Sequence, residues 1–309
     1  MSLITTDQDH IIHVAIELSH STWLVAARFP QGTKPHLYKI NAGDTTALLT
    51  LLASLRARMA AKLPVGIACC FEAGRDGFWL HRLLTDHGIT SYVLEPTSIL
   101  VNRRARRAKT DRLDAEGMLR VLMAYLRGDR KVCSMVRVHT PEEEDAKRPH
   151  REREYLVRER LRIENRIEAL LFTQGIRERP SLRSWERDLA ALRTGDGRAM
   201  PCRLQAELGR LRRQLVFTLE LIREVETARD VAAEAEPKEQ TRSKIAALCC
   251  IRGIGSNFAA VLTREVFYRS FDNRRQLASY VGITPMPYQS GNLDRDRRIG
   301  MYVMSAHQT

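Results

Sequence analysis

Two short apolar runs near the beginning of the chain decide the fold. The first is His13-Val14-Ala15-Ile16-Glu17-Leu18, and the second covers residues 23–29, with Ser-His-Ser between them. A third alternating run covers residues 36–40. Short alternating runs that are separated by turn residues are typical of β-strands. The three runs therefore predict an antiparallel meander.

The segments that follow alternate between helix and strand. Asp44 is a candidate N-cap for a helix with leucines at positions 48, 49, 52 and 55, and an apolar run covers residues 65–71. Helical patterns cover about 77–87, 98–108 and 111–126, and a strand pattern covers 91–94. This order predicts an α/β fold, a mixed sheet with a meander at one edge and parallel strands added beyond it.

The middle of the chain changes to charge-rich helix. A helical pattern covers residues 151–171, the sequence Thr-Gly-Asp-Gly interrupts it at 194–197, and apolar residues recur at near-heptad spacing over 204–225. We expect an antiparallel helical hairpin or a coiled-coil arm. The last segment is helical at first and then rich in Gly, Pro and Tyr. We therefore predict three domains, over residues 1–140, 141–238 and 239–309.

Composition limits the class of protein. The 309 residues carry 50 Lys and Arg against 37 Asp and Glu, a formal charge of +13, which favours a polyanionic partner. The six cysteines lack the C-x-x-C spacing of zinc sites, and we expect reduced thiols. The two adjacent pairs, Cys69-Cys70 and Cys249-Cys250, lie in apolar runs, where we expect them to pack as small apolar side chains. With no membrane-length apolar run and no signal-peptide pattern, we expect a cytoplasmic protein without membrane contact.

Four acidic residues are candidate metal ligands. Glu17 interrupts an apolar strand, Glu72 follows the buried run 65–71, and Asp111 and Asp114 stand three residues apart on a predicted helix. Each has a plainer reading: an arginine partner for Glu17, a loop position for Glu72, and helix capping by Asp111 with Asp114 at the third helical position. Taken together, oxygen-only ligands indicate Mg²⁺ or Mn²⁺.

The motifs around these acids resemble those of the insertion-sequence one-ten transposases. Ile16-Glu17-Leu18-Ser19, Phe71-Glu72-Ala73 and Lys109-Thr110-Asp111-Arg112-Leu113-Asp114-Ala115 are similar to the family's three motifs. The resemblance implies a RuvC-like, ribonuclease-H-type domain with a DEDD set of catalytic acids. The family's usual first acid is Asp, whereas this chain has Glu17, which is longer by one methylene. We expect the longer side chain to shift the metal position and lower activity.

The C-terminal segment carries two further motifs. Arg252, Gly253 and Gly255 belong to a Gly-x-Gly sequence between helical patterns, which predicts a helix-hairpin-helix with backbone N–H groups available to phosphate, or a simple turn. Residues 276–291 resemble the family's C-terminal transposase domain. That resemblance implies Ser290 as the catalytic nucleophile, although the chemistry of a Ser-Gly pair alone indicates a turn.

Two groups of basic residues are candidate phosphate contacts. One directly precedes the third acidic motif, and the other follows Ser290; a solvated helix face is the alternative for the first. The candidates are Arg103, Arg104, Arg106, Arg107, Lys109, Arg295, Arg297 and Arg298.

The resemblance implies a DNA transposase or recombinase that is dependent on Mg²⁺ or Mn²⁺ and forms a covalent serine–DNA intermediate. Its partners would be the element ends, the target DNA, a structured guide RNA and further copies of the chain as a dimer or tetramer. Family members usually continue further past the serine, so we expect this chain to be truncated. Two alternatives stay open: a catalytically impaired nucleic-acid-binding relic, and a RuvC-like junction-resolving nuclease that uses water.

Overall fold

The computed structural model describes residues 10–30, 32–60, 65–74, 76–99, 110–234, 238–284, 286–290 and 293–297, the last two ranges through their backbone. The chain divides into two compact units, Met1–His139 and Thr140–Val303. The predicted division into three domains stays a prediction. In the described part of the chain, no helix has the length and apolar content needed to cross a membrane.

The first unit is built on a five-stranded mixed sheet. Its strands are β1 (Ile11–Leu18), β2 (Thr22–Arg28), β3 (His36–Asn41), β4 (Gly66–Glu72) and β5 (Thr90–Leu94), in the spatial order β3-β2-β1-β4-β5. β1, β2 and β3 pair antiparallel, whereas β4 is parallel to β1 and β5 is parallel to β4. This order confirms the predicted sheet with a meander edge and parallel additions.

Among the described residues, three helices pack on this sheet: α1 (Thr45–Ala60), α2 (Trp79–Asp86) and α3 (Asp111–Leu126). Asp44 accepts a hydrogen bond from the Ala47 backbone N–H over 2.8 Å, as predicted for the N-cap of α1. The helix predicted over 98–108 lies mostly outside the described residues. Its first residue, Ser98, is the last residue of a short 3₁₀ turn, Pro96–Ser98.

The two faces of the sheet bury different helices. Ile12, Val14 and Ile16 on β1 lie in a core with α1 and α2. Ala15 on β1 and Cys70 on β4 lie in a second core with α3. Because side chains alternate along a strand, the row that contains Ala15 continues at Glu17, and the row that contains Cys70 continues at Glu72. Both acids therefore belong to the sheet face that α3 covers.

The second unit begins with α4 (Pro141–Asp145), α5 (Arg148–Phe172), α6 (Trp185–Ala191) and α7 (Cys202–Glu234). The long helices α5 and α7 run antiparallel, because Arg153 pairs with Glu226 over 2.6 Å and Arg166 pairs with Glu207 over 2.9 Å. Ile163, Ile167, Leu208 and Leu215 are buried in one core, which includes side chains of both helices. The role of this pair as a coiled-coil arm stays a prediction.

The rest of the second unit consists of short elements: α8 (Glu239–Cys249), α9 (Ser256–Val261), a π-helical turn (Leu262–Val266), α10 (Arg274–Tyr280), β6 (Met286–Ser290) and β7 (Leu293–Arg297). β6 and β7 form an antiparallel pair. This pair of strands was not predicted from the sequence.

The cysteines are all free, as expected, but their packing differs. Cys69 and Cys70 are buried in the sheet, where burial raises their pKa values. Cys249 and Cys250 are exposed at the end of α8, so the expectation that both adjacent pairs pack as apolar side chains is wrong for the second pair. The apolar run around it does not face a core.

Candidate active site

Two of the four predicted acids occupy neighbouring positions at the carboxyl ends of parallel strands. Glu17 is the next-to-last residue of β1, and Glu72 is the last residue of β4. The register pairs Ile16 with Phe71, so one further step along both strands sets Glu17 beside Glu72. Adjacent strands lie about 4.8 Å apart, so the backbones of Glu17 and Glu72 are neighbours at one edge of the sheet.

The direction of α3 follows from its contacts with the sheet. Near the middle of α3, the Met118 carbonyl accepts a weak hydrogen bond from the Cys70 thiol over 3.7 Å. Arg127 directly follows the C-terminal end of α3, and its charge contributes to the pKa shift of His13, which lies near the start of β1. Burial, followed by the charges of Arg127 and Arg28, lowers the pKa of His13 to about 4. The helix therefore runs antiparallel to β1 and β4.

This direction brings the second pair of acids to the same edge. Asp111 is the first residue of α3, and Asp114 lies one turn before Met118. Because the C-terminal end of α3 lies beside the start of β1, its N-terminal end lies beside the carboxyl ends of β1 and β4. Asp114 is half-buried and Asp111 is exposed. The fold thus brings the elements carrying all four predicted acids together.

The N-cap of α3 is Thr110. Its hydroxyl accepts a hydrogen bond from the Leu113 backbone N–H over 3.3 Å. The alternative reading, in which Asp111 caps the helix, is therefore wrong, because the residue before it already supplies the cap. Asp111 and Asp114 instead lie in the first turn, where the helix dipole favours negative charge.

The donor chemistry fits a divalent cation, since all four candidates offer carboxylate oxygens, the ligands that Mg²⁺ and Mn²⁺ prefer. Within the described ranges, no group of three or more His, Cys, Asp or Glu side chains is arranged to hold a metal ion. The candidate site is therefore defined by two features: the four acids lie on elements that meet at one edge of the sheet, and all four offer carboxylate oxygens. The roles of Glu17, Glu72, Asp111 and Asp114 as metal ligands stay predictions.

The predicted phosphate contacts fall into three groups. Arg103, Arg104, Arg106, Arg107, Lys109 and Arg298 lie outside the described residues. Arg295 and Arg297 lie on β7, where the backbone places them opposite Tyr288 and Met286 of β6. Arg252, Gly253 and Gly255 lie between α8 and α9. Phosphate binding by each of these groups stays a prediction.

The glycines lie in a tight turn between α8 and α9, as the Gly-x-Gly sequence predicts. Gly253 adopts a φ of +89°, which favours glycine, and Gly255 is the N-cap position of α9. A Cβ at either glycine would meet nothing within 4 Å, so the turn has open space around it. Arg252 is exposed beside it.

Ser290 is the last residue of β6, in the second unit. Its backbone pairs with Leu293 across the β6–β7 pair, so Ser290 lies at the end of β6 that is joined to the start of β7. Arg295 and Arg297 follow Leu293 by two and four residues on the partner strand. The nucleophilic role of Ser290 stays a prediction.

A charged cluster around Glu265 in the second unit was not predicted from the sequence. The Glu265 carboxylate contacts Lys147 over 3.0 Å, His150 over 2.7 Å and Arg151 over 2.8 Å. Burial alone would raise the pKa of Glu265, but hydrogen bonds from His150 and Arg151 and the Lys147 charge hold it well below its usual range. Its only signal in the sequence is an acid next to apolar residues.

The chain matches two families of known proteins. Residues 14–174, just over half of the chain, match a family of IS110-type DEDD transposases, and residues 245–302 match the transposase IS116/IS110/IS902 family. The first match includes Glu17, Glu72, Asp111 and Asp114, and the second includes Ser290.

Relatives extend the comparison over nearly the whole chain. A protein of Sinorhizobium fredii that is named as a transposase, y4rJ, is 44% identical over 300 residues, which cover 93% of this chain and 75% of that protein. The transposase for insertion sequence element IS1111A of Coxiella burnetii is 24% identical over 232 residues, which cover 75% of this chain and 60% of that protein. From these matches, the chain belongs to the IS116/IS110/IS902 family of transposases.

Proposed function

We propose that the chain is a DNA transposase that cleaves and rejoins strands at the ends of an insertion element. In this proposal, Glu17, Glu72, Asp111 and Asp114 hold Mg²⁺ or Mn²⁺, and Ser290 is the nucleophile. The observation that supports the proposed roles of the four acids is the direction of α3. The helix runs antiparallel to β1 and β4, so its N-terminal end lies near the carboxyl ends of these strands.

The four acids would bind the cation through carboxylate oxygens. A bound divalent cation would supply Lewis-acid polarisation of the scissile phosphodiester. Glu17 and Glu72 lie on adjacent, hydrogen-bonded strands, which hold their backbones in a fixed register. Asp114 starts from a helix whose buried face, with Ala115 and Met118, anchors it to the sheet. The site is therefore assembled on rigid elements, which favours accurate ligand placement.

Ser290 would attack the phosphorus of the scissile bond through its side-chain oxygen. A new serine O–P bond forms, the bond from phosphorus to one deoxyribose oxygen breaks, and that oxygen leaves as a hydroxyl after taking a proton. The serine proton passes to solvent or to a nearby base. Rejoining reverses this exchange with an incoming DNA hydroxyl, so the phosphodiester energy is conserved and no ATP is needed.

The acids and the serine belong to different compact units, Met1–His139 and Thr140–Val303. Family resemblance implies that the acids of one copy work with the serine of another, and we include a dimer or tetramer in the proposal. The formal charge of +13 supports nucleic-acid partners. In our proposal these are the element ends, the target DNA and a structured guide RNA that pairs with DNA.

The test is to incubate the protein with element-end DNA, the flanking-transcript RNA and Mg²⁺, and then to separate the products under denaturing conditions. We expect a protein–DNA adduct that Ser290→Ala and Asp114→Asn both abolish while DNA binding is retained. Ser279→Ala, which removes an exposed serine of α10, is the matched control and should leave the adduct unchanged.

Two outcomes would overturn the proposal. Intact DNA binding with neither adduct nor cleavage would identify a nucleic-acid-binding protein that has lost its chemistry. Metal-dependent nicks without attached protein, insensitive to Ser290→Ala, would identify a nuclease that uses water as the nucleophile.

A further inference from the structure

An open cleft of about 690 Å³ lies in the second unit, between α8, the segment after the π-helical turn, and α10. Its volume is in the range of small-molecule sites, about 300 to 1,000 Å³. None of the described residues that line it is an acid of the proposed metal site. Its lining combines cationic, aromatic and amide side chains, and each type restricts the ligand.

The cations indicate a negatively charged ligand. Lys244, Arg269 and Arg274 line the cleft, and none of the described residues that line it is acidic. Lys244 donates a hydrogen bond to the Phe267 carbonyl over 2.7 Å, which fixes its ammonium at the wall. Among the described residues, neither arginine forms an ion pair, so both guanidinium groups are available to an anion. The adjacent Asp272 accepts a hydrogen bond from Gln276 over 3.0 Å.

The aromatic residues indicate a ligand with a flat apolar face. Phe267 and Phe271 line the cleft, and both are half-buried. The ring of Phe271 is braced by Tyr280, with 5.5 Å between the ring centroids. The Arg269 guanidinium lies 4.6 Å from the Tyr280 ring centroid, so it stacks on the same aromatic group. A flat ring could therefore pack against Phe271 beside a cation.

The amides add hydrogen-bonding groups to this surface. Asn273 uses its side-chain oxygen to accept hydrogen bonds from the backbone N–H groups of Arg275 and Gln276, each over 3.0 Å. This leaves the Asn273 amide NH₂ as a donor at the cleft. Base edges carry acceptors that such a donor can reach, and phosphate oxygens are matched by the guanidinium groups.

We propose that this cleft binds one unstacked nucleotide of a single-stranded nucleic acid. The base packs on Phe271 and Phe267, and the phosphate lies between Arg269 and Arg274. The inference deepens the proposed function by adding a contact for an unpaired segment of DNA or RNA, apart from the cleavage chemistry. The stretch Phe267-Tyr268-Arg269-Ser270-Phe271, which interleaves aromatic and basic residues, is its signature in the sequence.

The test uses fluorescein-labelled dodecamers, dT12 and rU12, and measures anisotropy without metal over a range of salt. We expect Phe271→Leu to weaken binding roughly fivefold or more, because base–aromatic stacking is lost. Arg274→Ala should weaken binding roughly two- to fivefold and lower the salt dependence. Arg275→Ala is the matched control: it removes the neighbouring exposed arginine, which does not line the cleft, and should change binding less than about twofold.

A second measurement does not depend on the fold of a variant. A dodecamer with one central 5-iodouracil, irradiated with the wild-type protein, should crosslink to a peptide that contains Phe267 or Phe271. The DNA and RNA arms assign the source of the nucleotide, and an abasic dodecamer of the same length should bind at least fivefold more weakly than dT12.

Equal losses for Arg274→Ala and Arg275→Ala, together with crosslinks outside the cleft, would overturn the proposal, because a general electrostatic surface would then explain binding. Equal binding of the abasic dodecamer would overturn the stacking role. Since these assays need neither metal nor Ser290, they separate failure of the cleft from failure of the proposed strand cleavage.

Discussion

Arg127 lies close enough to the buried imidazole of His13 that its charge acts on the titration of this residue. Burial is the largest cause, and together with the charges of Arg127 and Arg28 it lowers the pKa of His13 from 6.5 to about 4. Between these pH values the unfolded chain binds a proton that the native protein does not bind. The free energy of unfolding therefore falls as the pH drops from about 6.5 to about 4.

The first prediction concerns this acid sensitivity. His13→Leu should remove about 3 kcal/mol of the stability loss between pH 7 and pH 4, measured by urea unfolding at each pH. His87→Leu, which replaces an exposed histidine, is the control and should change the acid sensitivity less than His13→Leu does. Parallel pH profiles for wild type and His13→Leu would contradict the neutral, buried state of His13.

A second prediction uses the ends of two adjacent parallel strands. Glu72→Gln should lower metal-dependent cleavage on the order of 100-fold, because it removes a charged ligand from the proposed site. Glu95→Gln is the matched control: Glu95 follows β5, and its carboxylate accepts a hydrogen bond from Thr97 over 3.1 Å. Cleavage rates at several Mg²⁺ concentrations test the difference, and equal losses for the two variants would remove Glu72 from the ligand set.

A third prediction concerns the cluster around Glu265. Glu265→Gln should destabilise the protein by about 3–5 kcal/mol at pH 7, because it removes the carboxylate charge that lies 3.0 Å from the buried Lys147 ammonium. Glu226→Gln breaks the half-exposed pair with Arg153 and should cost less than about 1 kcal/mol. Chemical unfolding of both variants makes the comparison.

The pH dependence of this effect has a definite sign. The Glu265 pKa is lowered in the native protein, so the carboxylate contributes its stability above its ordinary pKa of 4.5, and this contribution is lost as the pH falls. The difference in stability between wild type and Glu265→Gln should narrow below pH 4.5. A difference that stays constant down to pH 3 would show that lost packing, not lost charge, causes the effect.

A fourth prediction concerns two glycines of the second unit, for which alanine has opposite effects. Gly175 has a φ of +74°, and a Cβ there would lie 2.9 Å from the Gly195 Cα, so Gly175→Ala should destabilise the protein by more than about 1 kcal/mol. Gly209 lies inside α7, where a Cβ meets nothing within 4 Å, so Gly209→Ala should stabilise it by about 0.5–1 kcal/mol. Thermal unfolding should give midpoint shifts of opposite sign.

The sheet of the first unit could be predicted because its strands carry apolar runs that are bounded by turn residues. The bounds of α3 were also predictable, since Thr110 stands directly before its first turn. Assigning the cap to Asp111 remained an alternative because Asp and Thr are both good N-cap residues, and only the hydrogen bond to Leu113 distinguishes them.

Other features depend on packing between distant residues. The sequence does not give the direction of α3, because it follows from where Met118 and Arg127 contact the sheet. The β6–β7 pair escaped prediction because Leu293-Asp294-Arg295-Asp296-Arg297 has no apolar alternation. His150 and Glu265 are 115 residues apart, so no local pattern joins them.

The central position of β1 in the sheet affects when, during synthesis, the proposed set of four acids can be assembled. β1 is synthesised first, but it can pair with β4 only after β4 has been synthesised. One face of β1 can be buried only after α3 has been synthesised. Since chains emerge from the N-terminus, a nascent chain that ends before residue 111 would carry Glu17 and Glu72 but lack both aspartates. The proposed ligand set is therefore completed late in the synthesis of the first unit, and shorter translation products would lack two of its four acids.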